Sequence, residues 1–245
     1  MAVGSFKPHY RFYSSRYDPS SPLAKARVEE LSGALSEALE STRGRVLDVC
    51  CGAGAFSFFL ETLRLDVIGV DIQEEMVKKA RAYSRRIGSR AEFMVMDARE
   101  LGFPSEAFNA ATLLGGSLPH FSIHDMDRIV SEVYRVLKPS SLFIVDLIDW
   151  ISLLAQGYER SMAEANDKGE IMLSYHMSLN TVEGYVERLY HVLSTGEVFR
   201  IKLYLWAPWQ ARYVLEKNGF TLVDVRRLSE RHYMLISARR EAARK

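Results

Sequence analysis

Apolar and polar positions follow two rhythms along this chain. In the first, short apolar runs at 46–49, 67–70, 91–96, 108–114 and 142–147 read as strands buried on both faces. The stretches between them repeat their apolar side chains every three or four residues, as one-sided helices do. Val28, Leu31, Leu35 and Leu39 share a face of a helix over 23–39. Residues 56–62 and 74–84 continue the pattern. Ile129, Val133 and Leu137 mark the inner face of a helix over 123–137, with Pro139 as its stop. Strand and helix in alternation predict right-handed crossovers and a parallel sheet.

The second rhythm has period two. Residues 171–179, 185–193 and 197–206 alternate, separated by turn-forming residues at 180–184 and 194–196. They predict an antiparallel meander of three strands. In the last of them Phe199, Ile201, Leu203 and Leu205 share one face. Residues 149–169, just before the meander, read as helical. The first rhythm then returns. Pro208 suits the first turn of a helix and Asn218-Gly219 its C-terminal cap, with final strands at 220–225 and 232–237. The expected fold class is α/β: a doubly wound, mostly parallel seven-stranded sheet with helices on both faces and an inserted antiparallel meander. The expected organisation is an N-terminal arm (1–22), a main domain (23–148 with 207–245) and an insertion (149–206) that covers a substrate or pairs two subunits.

The junction after the first strand carries the candidate chemistry. Asp48 stands near the end of the strand, and Gly52 and Gly54 follow it. A strand, a glycine turn and a helix N-terminus let backbone N–H groups approach a polar ligand. The dinucleotide pattern G-x-G-x-x-G would need a third small residue where Ser57 stands, and the phosphate-loop pattern is absent. A carboxylate at Asp48 suits a ligand with a cationic amine and would repel a pyrophosphate. Asp71 ends the second strand about 20 residues beyond the glycines, where nucleotide-binding α/β proteins place a ribose-binding carboxylate. Asp97 ends the third.

The run Val46-Leu47-Asp48-Val49-Cys50-Cys51-Gly52-Ala53-Gly54 resembles the first motif of the class I S-adenosylmethionine (SAM)-dependent methyltransferases, usually L-D-x-G-C-G-x-G. Cys50 stands where that motif has its first glycine. The resemblance implies a Rossmann-like fold with SAM as cofactor and S-adenosylhomocysteine as product. It implies that Asp48, Cys51, Gly52 and Gly54 hold the methionine part. Asp71 would take both ribose hydroxyls, Ile72 would pack on adenine, and Asp97 with Ala98 would meet its amino group. Leu114 joins the cofactor-binding set. Arms ahead of the first strand often close this family's site, which makes Tyr13, Arg16 and Tyr17 candidate contacts. The loop Gly115-Gly116-Ser117-Leu118-Pro119-His120-Phe121 is similar to the G-N-S-x-x-H-L loop of glycine N-methyltransferase and related small-molecule enzymes. Gly116 departs from it where the pattern has Asn. His120 is the best-placed candidate base if the acceptor arrives protonated.

Composition narrows the partner more than the fold. The 245 residues carry a net charge of +1, so no global field draws the chain to nucleic acid or anionic membrane. The only cysteines, Cys50 and Cys51, are adjacent. That makes a poor disulfide pair, fits a reducing compartment and gives no metal site. With no apolar segment of signal-peptide type near the start, the reading is cytoplasmic. The expected function is methyl transfer to a small molecule, with an oligomer possible through 171–206. The competing readings are an RNA or protein methyltransferase and a non-catalytic SAM-binding regulator.

Overall fold

The computed structural model describes residues 12, 18–166, 168–228 and 233–241, the side chain of Tyr233 apart. A helix, α1 (Pro22–Ala38), comes first. Ser21 caps it by accepting from the Ala24 N–H at 3.0 Å, and Pro22 sits in its first turn, where no N–H is needed. Then follow β1 (Arg45–Val49), α2 (Ala55–Thr62), β2 (Asp66–Asp71), α3 (Glu74–Ile87), β3 (Glu92–Val95), β4 (Phe108–Leu113), α4 (Ile123–Val136) and β5 (Leu137–Ile148). The chain returns to this layer with α6 (Pro208–Lys217), β10 (Phe220–Arg227) and β11 (Tyr233–Arg240).

These strands form one seven-stranded sheet in the order β10-β11-β5-β4-β1-β2-β3. Strands β1 to β5 pair in parallel, and β11 pairs antiparallel with both neighbours. Alternation along β1 feeds two cores. Val46 packs on one side with Leu31 and Leu35 of α1, Leu60 of α2 and Val77 of α3. Leu47 and Val49 pack on the other with Ile129 and Val133 of α4 and Val214 of α6. Helices therefore cover both faces, and the central strands put their carboxyl ends at one edge of the sheet. That edge is where ligands bind in open α/β sheets.

A second sheet follows β5. Helix α5 (Trp150–Gln156) leads to β6 (Ser161–Ala165), β7 (Ile171–Asn180), β8 (Tyr185–Val192) and β9 (Glu197–Tyr204), antiparallel in sequence order. The sheet therefore has four strands where the period-two pattern predicts three. Residues 161–165 read as helix from Met, Ala and Glu. They form a strand because they pair with β7 from Ser161↔Tyr175 to Ala165↔Ile171, and pairing overrides so short a local preference. Strand β5 also begins earlier than expected. It starts at Leu137, directly after α4, and includes Pro139, with Leu137 opposite Phe108.

Candidate active site

The turn after β1 needs unusual backbone at three places. Cys50, Gly52 and Gly54 all have φ in the left-handed region, at 57°, 54° and 90°. Cys50 thus takes the conformation a glycine would take, at a cost of roughly 1–2 kcal/mol. The Cys51 N–H donates to the Val70 carbonyl at 3.0 Å, tying the turn to β2. A Cβ on Gly54 would lie 2.9 Å from the rings of Phe58 and Phe93, so packing requires glycine there. A Cβ on Gly52 would meet nothing within 4 Å. Gly52 therefore borders open space, as a backbone cradle must.

Three strand-end carboxylates surround this turn, each differently engaged. Asp48 is 1% exposed and accepts from Ser57 Oγ at 2.5 Å and Thr112 Oγ1 at 3.0 Å. Burial, with Asp71 and Asp146 nearby, pushes its pKa up to about 6. It lies behind the turn and joins β1, α2 and β4. Asp71 Oδ2 accepts from the Gly52 N–H at 2.9 Å, and Oδ1 from the Gln73 N–H at 2.8 Å. Each oxygen keeps a second lone pair for a ligand hydroxyl. Burial raises the Asp71 pKa as well. Asp97 is bound to Arg99, whose Nη2 lies 2.8 Å away and whose Nη1 reaches Asp125 at 2.9 Å. The Arg99 guanidinium holds the Asp97 carboxyl below its usual range. Ile72 is exposed beside Asp71, whereas Ala98 and Leu114 are buried. The Cys50 and Cys51 thiols are pushed well up by burial and by these acids, so both stay protonated.

The opposite lip is the loop after β4. Gly116 has a φ of 76°, a region Asn tolerates better than most residues, which accounts physically for Gly where the related loop has Asn. The loop is held by Asp146, a fully buried residue of β5. Its carboxylate accepts from the N–H groups of Gly115 and Gly116 at 3.1 Å and pairs with Arg27 Nη2 at 2.8 Å. Pattern reading passed over Asp146. The available signal was an acid inside the apolar run 142–147. His120 ends a single turn of 3₁₀ helix, Leu118–His120, and burial lowers its pKa to about 4. The second sheet reaches this lip through Trp206, whose indole Nε1 donates to the Phe121 carbonyl at 3.0 Å and whose carbonyl accepts from the Trp150 N–H at 3.0 Å.

The chain is similar to known proteins in sequence and fold. The methyltransferase domain family matches residues 46–140, from β1 into β5. The glycine/sarcosine N-methyltransferase of Halorhodospira halochloris is 30% identical over 189 residues, 74% of this chain and 66% of that one. The demethylmenaquinone methyltransferase of Thermus thermophilus is 32% identical over 114 residues, 46% of this chain and 50% of that one. The crystal structure of PH0226 protein from Pyrococcus horikoshii OT3 is 30% identical, with a TM-score of 0.79 over 96% of this chain and 100% of that one. The chain belongs to the SAM-dependent methyltransferase family. Its alignments span about half the length of the first curated relatives, or less.

Within this methyltransferase fold, Asp48, Cys51, Gly52, Gly54, Asp71, Ile72, Asp97, Ala98 and Leu114 all lie on β1–β4 or just beyond their carboxyl ends. His120 lies on the facing loop. Tyr13, Arg16 and Tyr17 lie outside the described residues, as does His232. Phe12 is described: it is buried against Met172, Tyr190, Val192 and Ile201 of the second sheet. No helix among the described residues is long and apolar enough to cross a membrane, and they contain no cluster of three metal-ligating side chains.

Proposed function

We propose that this chain transfers the methyl group of SAM to a small-molecule acceptor by in-line displacement, releasing S-adenosylhomocysteine. The observation that carries the reading is the bond from the Gly52 N–H to Asp71 Oδ2, because it joins the glycine cradle to the carboxylate expected to hold ribose. Open space at Gly52 supports the same reading. When bound, the cofactor supplies an activated methyl group on a sulfonium.

The chain's own residues supply position and electrostatics. Asp71 takes the ribose hydroxyls, and the backbone at Cys51, Gly52 and Gly54 takes the methionine part. Ile72, Ala98 and Asp97 border adenine, with Leu114 alongside. Asp48 supports the turn from behind and adds negative potential for the cationic amine and sulfonium. Residues 149–206 cover the acceptor. Alignment and exclusion of water supply most of the acceleration. A pKa near 4 leaves His120 uncharged at neutral pH and weak as a base, which favours its orienting the acceptor over removing a proton.

The reading is tested by incubating the protein with methyl-labelled SAM and separate pools of metabolites, tRNA and protein. Label in the metabolite pool alone is the expected result. Label in tRNA or protein would replace the acceptor class. No label anywhere, with SAM bound, would leave a non-catalytic SAM-binding protein.

A further inference from the structure

The inner face of the second sheet holds a buried cation without a counter-ion among the described residues. Arg188, at the centre of β8, is 3% exposed. Its neighbours are Ser174 and His176 on β7 and Ile201 on β9. Nη1 donates to the Tyr158 hydroxyl and to the Glu159 carbonyl, both at 2.9 Å. Nη2 donates to Ser174 Oγ at 2.8 Å and to the Ser174 carbonyl at 3.4 Å. Every one of these acceptors is uncharged. Among the described residues, no carboxylate lies within ion-pair distance of Arg188. Tyr190, two residues along β8, is also hydrogen-bonded to Arg188, and the Tyr158 hydroxyl is bonded to His176 Nδ1 at 2.9 Å as well. Glu164 on β6 and Arg160 are the other charged groups that bear on this cluster. Burying a charge without an opposite one is unfavourable, and hydrogen bonds to neutral acceptors offset only part of the cost.

A second group points the same way. The indole Nε1 of Trp150, a residue 5% exposed, is buried with no hydrogen-bond partner among the described residues. The Trp150 ring lies 6.1 Å from that of Tyr158, and the Arg188 guanidinium lies 5.5 Å over the same Tyr158 ring. Trp150 is bonded to Trp206, and Trp206 to the loop that ends at Phe121. A continuous set of contacts thus runs from the lip of the candidate active site to Arg188.

We infer that Arg188, with Tyr158 and Trp150, recognises a carboxylate on the methyl acceptor, so that the substrate is a small organic acid. The inference rests on the proposed methyl transfer for its substrate, but not for its chemistry. Arg188 supplies the opposite charge and the unpartnered Trp150 N–H a donor, with the Tyr158 ring lying between them. None of the three touches the reacting atoms.

The test uses the full-length protein and matched pairs of acceptors: amino acids and hydroxybenzoic acids, each beside its primary amide. The acids should be methylated with kcat/KM at least ~30-fold above their amides, the ratio expected when one partner of a buried charge pair is removed. Arg188→Met should bring the acids to the level of the amides, mainly through KM, with SAM affinity within about twofold of the starting protein. Ser174→Ala, which keeps the charge and loosens its orientation, should give a smaller loss in the same direction. It also serves if Arg188→Met does not fold. Amides equal to acids, or a ratio unchanged in the variants, would overturn the inference. If nothing is methylated, the proposed transfer fails, and calorimetry of the same acids on protein saturated with S-adenosylhomocysteine decides the inference separately. Binding that Arg188→Met abolishes supports it; acids that bind no better than amides overturn it.

Discussion

The two sheets differ in the charge they bury. At the carboxyl ends of the large sheet, Asp48 and Asp146 are buried and Asp71 nearly so. Burial raises all three pKa values, and among the described residues only Asp146 has a cation beside it, Arg27. On the inner face of the small sheet, Arg188 is buried with uncharged partners. The first environment suits a ligand bearing positive charge, as a sulfonium and an amine do. The second suits a negative one. A site that must align a cationic donor with an acceptor gains from such polarity, because each ligand is repelled from the other's place.

The comparison is broken most severely at Asp146. Asp146→Ala removes the partner of Arg27 and the anchor of Gly115 and Gly116. It should cost about 3–5 kcal/mol in urea unfolding, the range for a buried pair stripped of one member. Loss of less than 1 kcal/mol would mean that the lip does not depend on it.

Next is Asp71→Ala. Two charge-assisted hydrogen bonds to ribose, at about 1.5–3 kcal/mol each, predict SAM binding weaker by about a hundredfold or more in calorimetry. Near-normal affinity would remove Asp71 from the cradle.

Asp48 sharpens the electrostatic side. Its folded pKa, about 6, lies above the ordinary carboxylate value of 3.8, so the folded chain holds this proton more tightly than the unfolded one does. Stability from this group is therefore present below pH 4 and lost as pH rises through 6, by on the order of 1–3 kcal/mol. Asp48→Asn should flatten the pH dependence between 4 and 6 in denaturant melts. An unchanged slope would contradict the shift.

A smaller effect belongs to His120. With its pKa near 4, a pH–rate profile should lack an inflection near 6.5 from this residue, and His120→Ala should leave the profile's shape unchanged. An inflection near 6.5 that the variant abolishes would restore the base.

Smallest is Cys50→Gly. It relieves a left-handed cysteine but frees the unfolded chain, and the two nearly cancel, leaving a stability change within about 1 kcal/mol.

The large sheet was legible because its signals are local. Gly52 and Gly54 mark the turn after β1, Pro208 and Asn218-Gly219 bound a helix that the structure places at Pro208–Lys217, and β1 is a short apolar run. The candidate acids Asp48, Asp71 and Asp97 were visible from their places at strand ends. What could not be read was their division of labour, since only the folded chain puts Ser57 and Thr112 on Asp48 and Arg99 on Asp97. The small sheet was less legible. Residues 161–165 have helix-favouring side chains and become a strand through pairing with β7. Arg188 sits in an alternating strand whose pattern allows either face to be buried, so its burial depends on Tyr158 and Ser174, 30 and 14 residues away.

The most direct test of the account is calorimetric titration of the protein with SAM, S-adenosylhomocysteine and NAD, with melting curves in parallel. The account predicts binding of the first two and none of NAD, with SAM at 100 times its dissociation constant adding about 2.7 kcal/mol of stability. Binding of NAD, or of none of the three, would contradict a cradle built for a cationic nucleoside ligand.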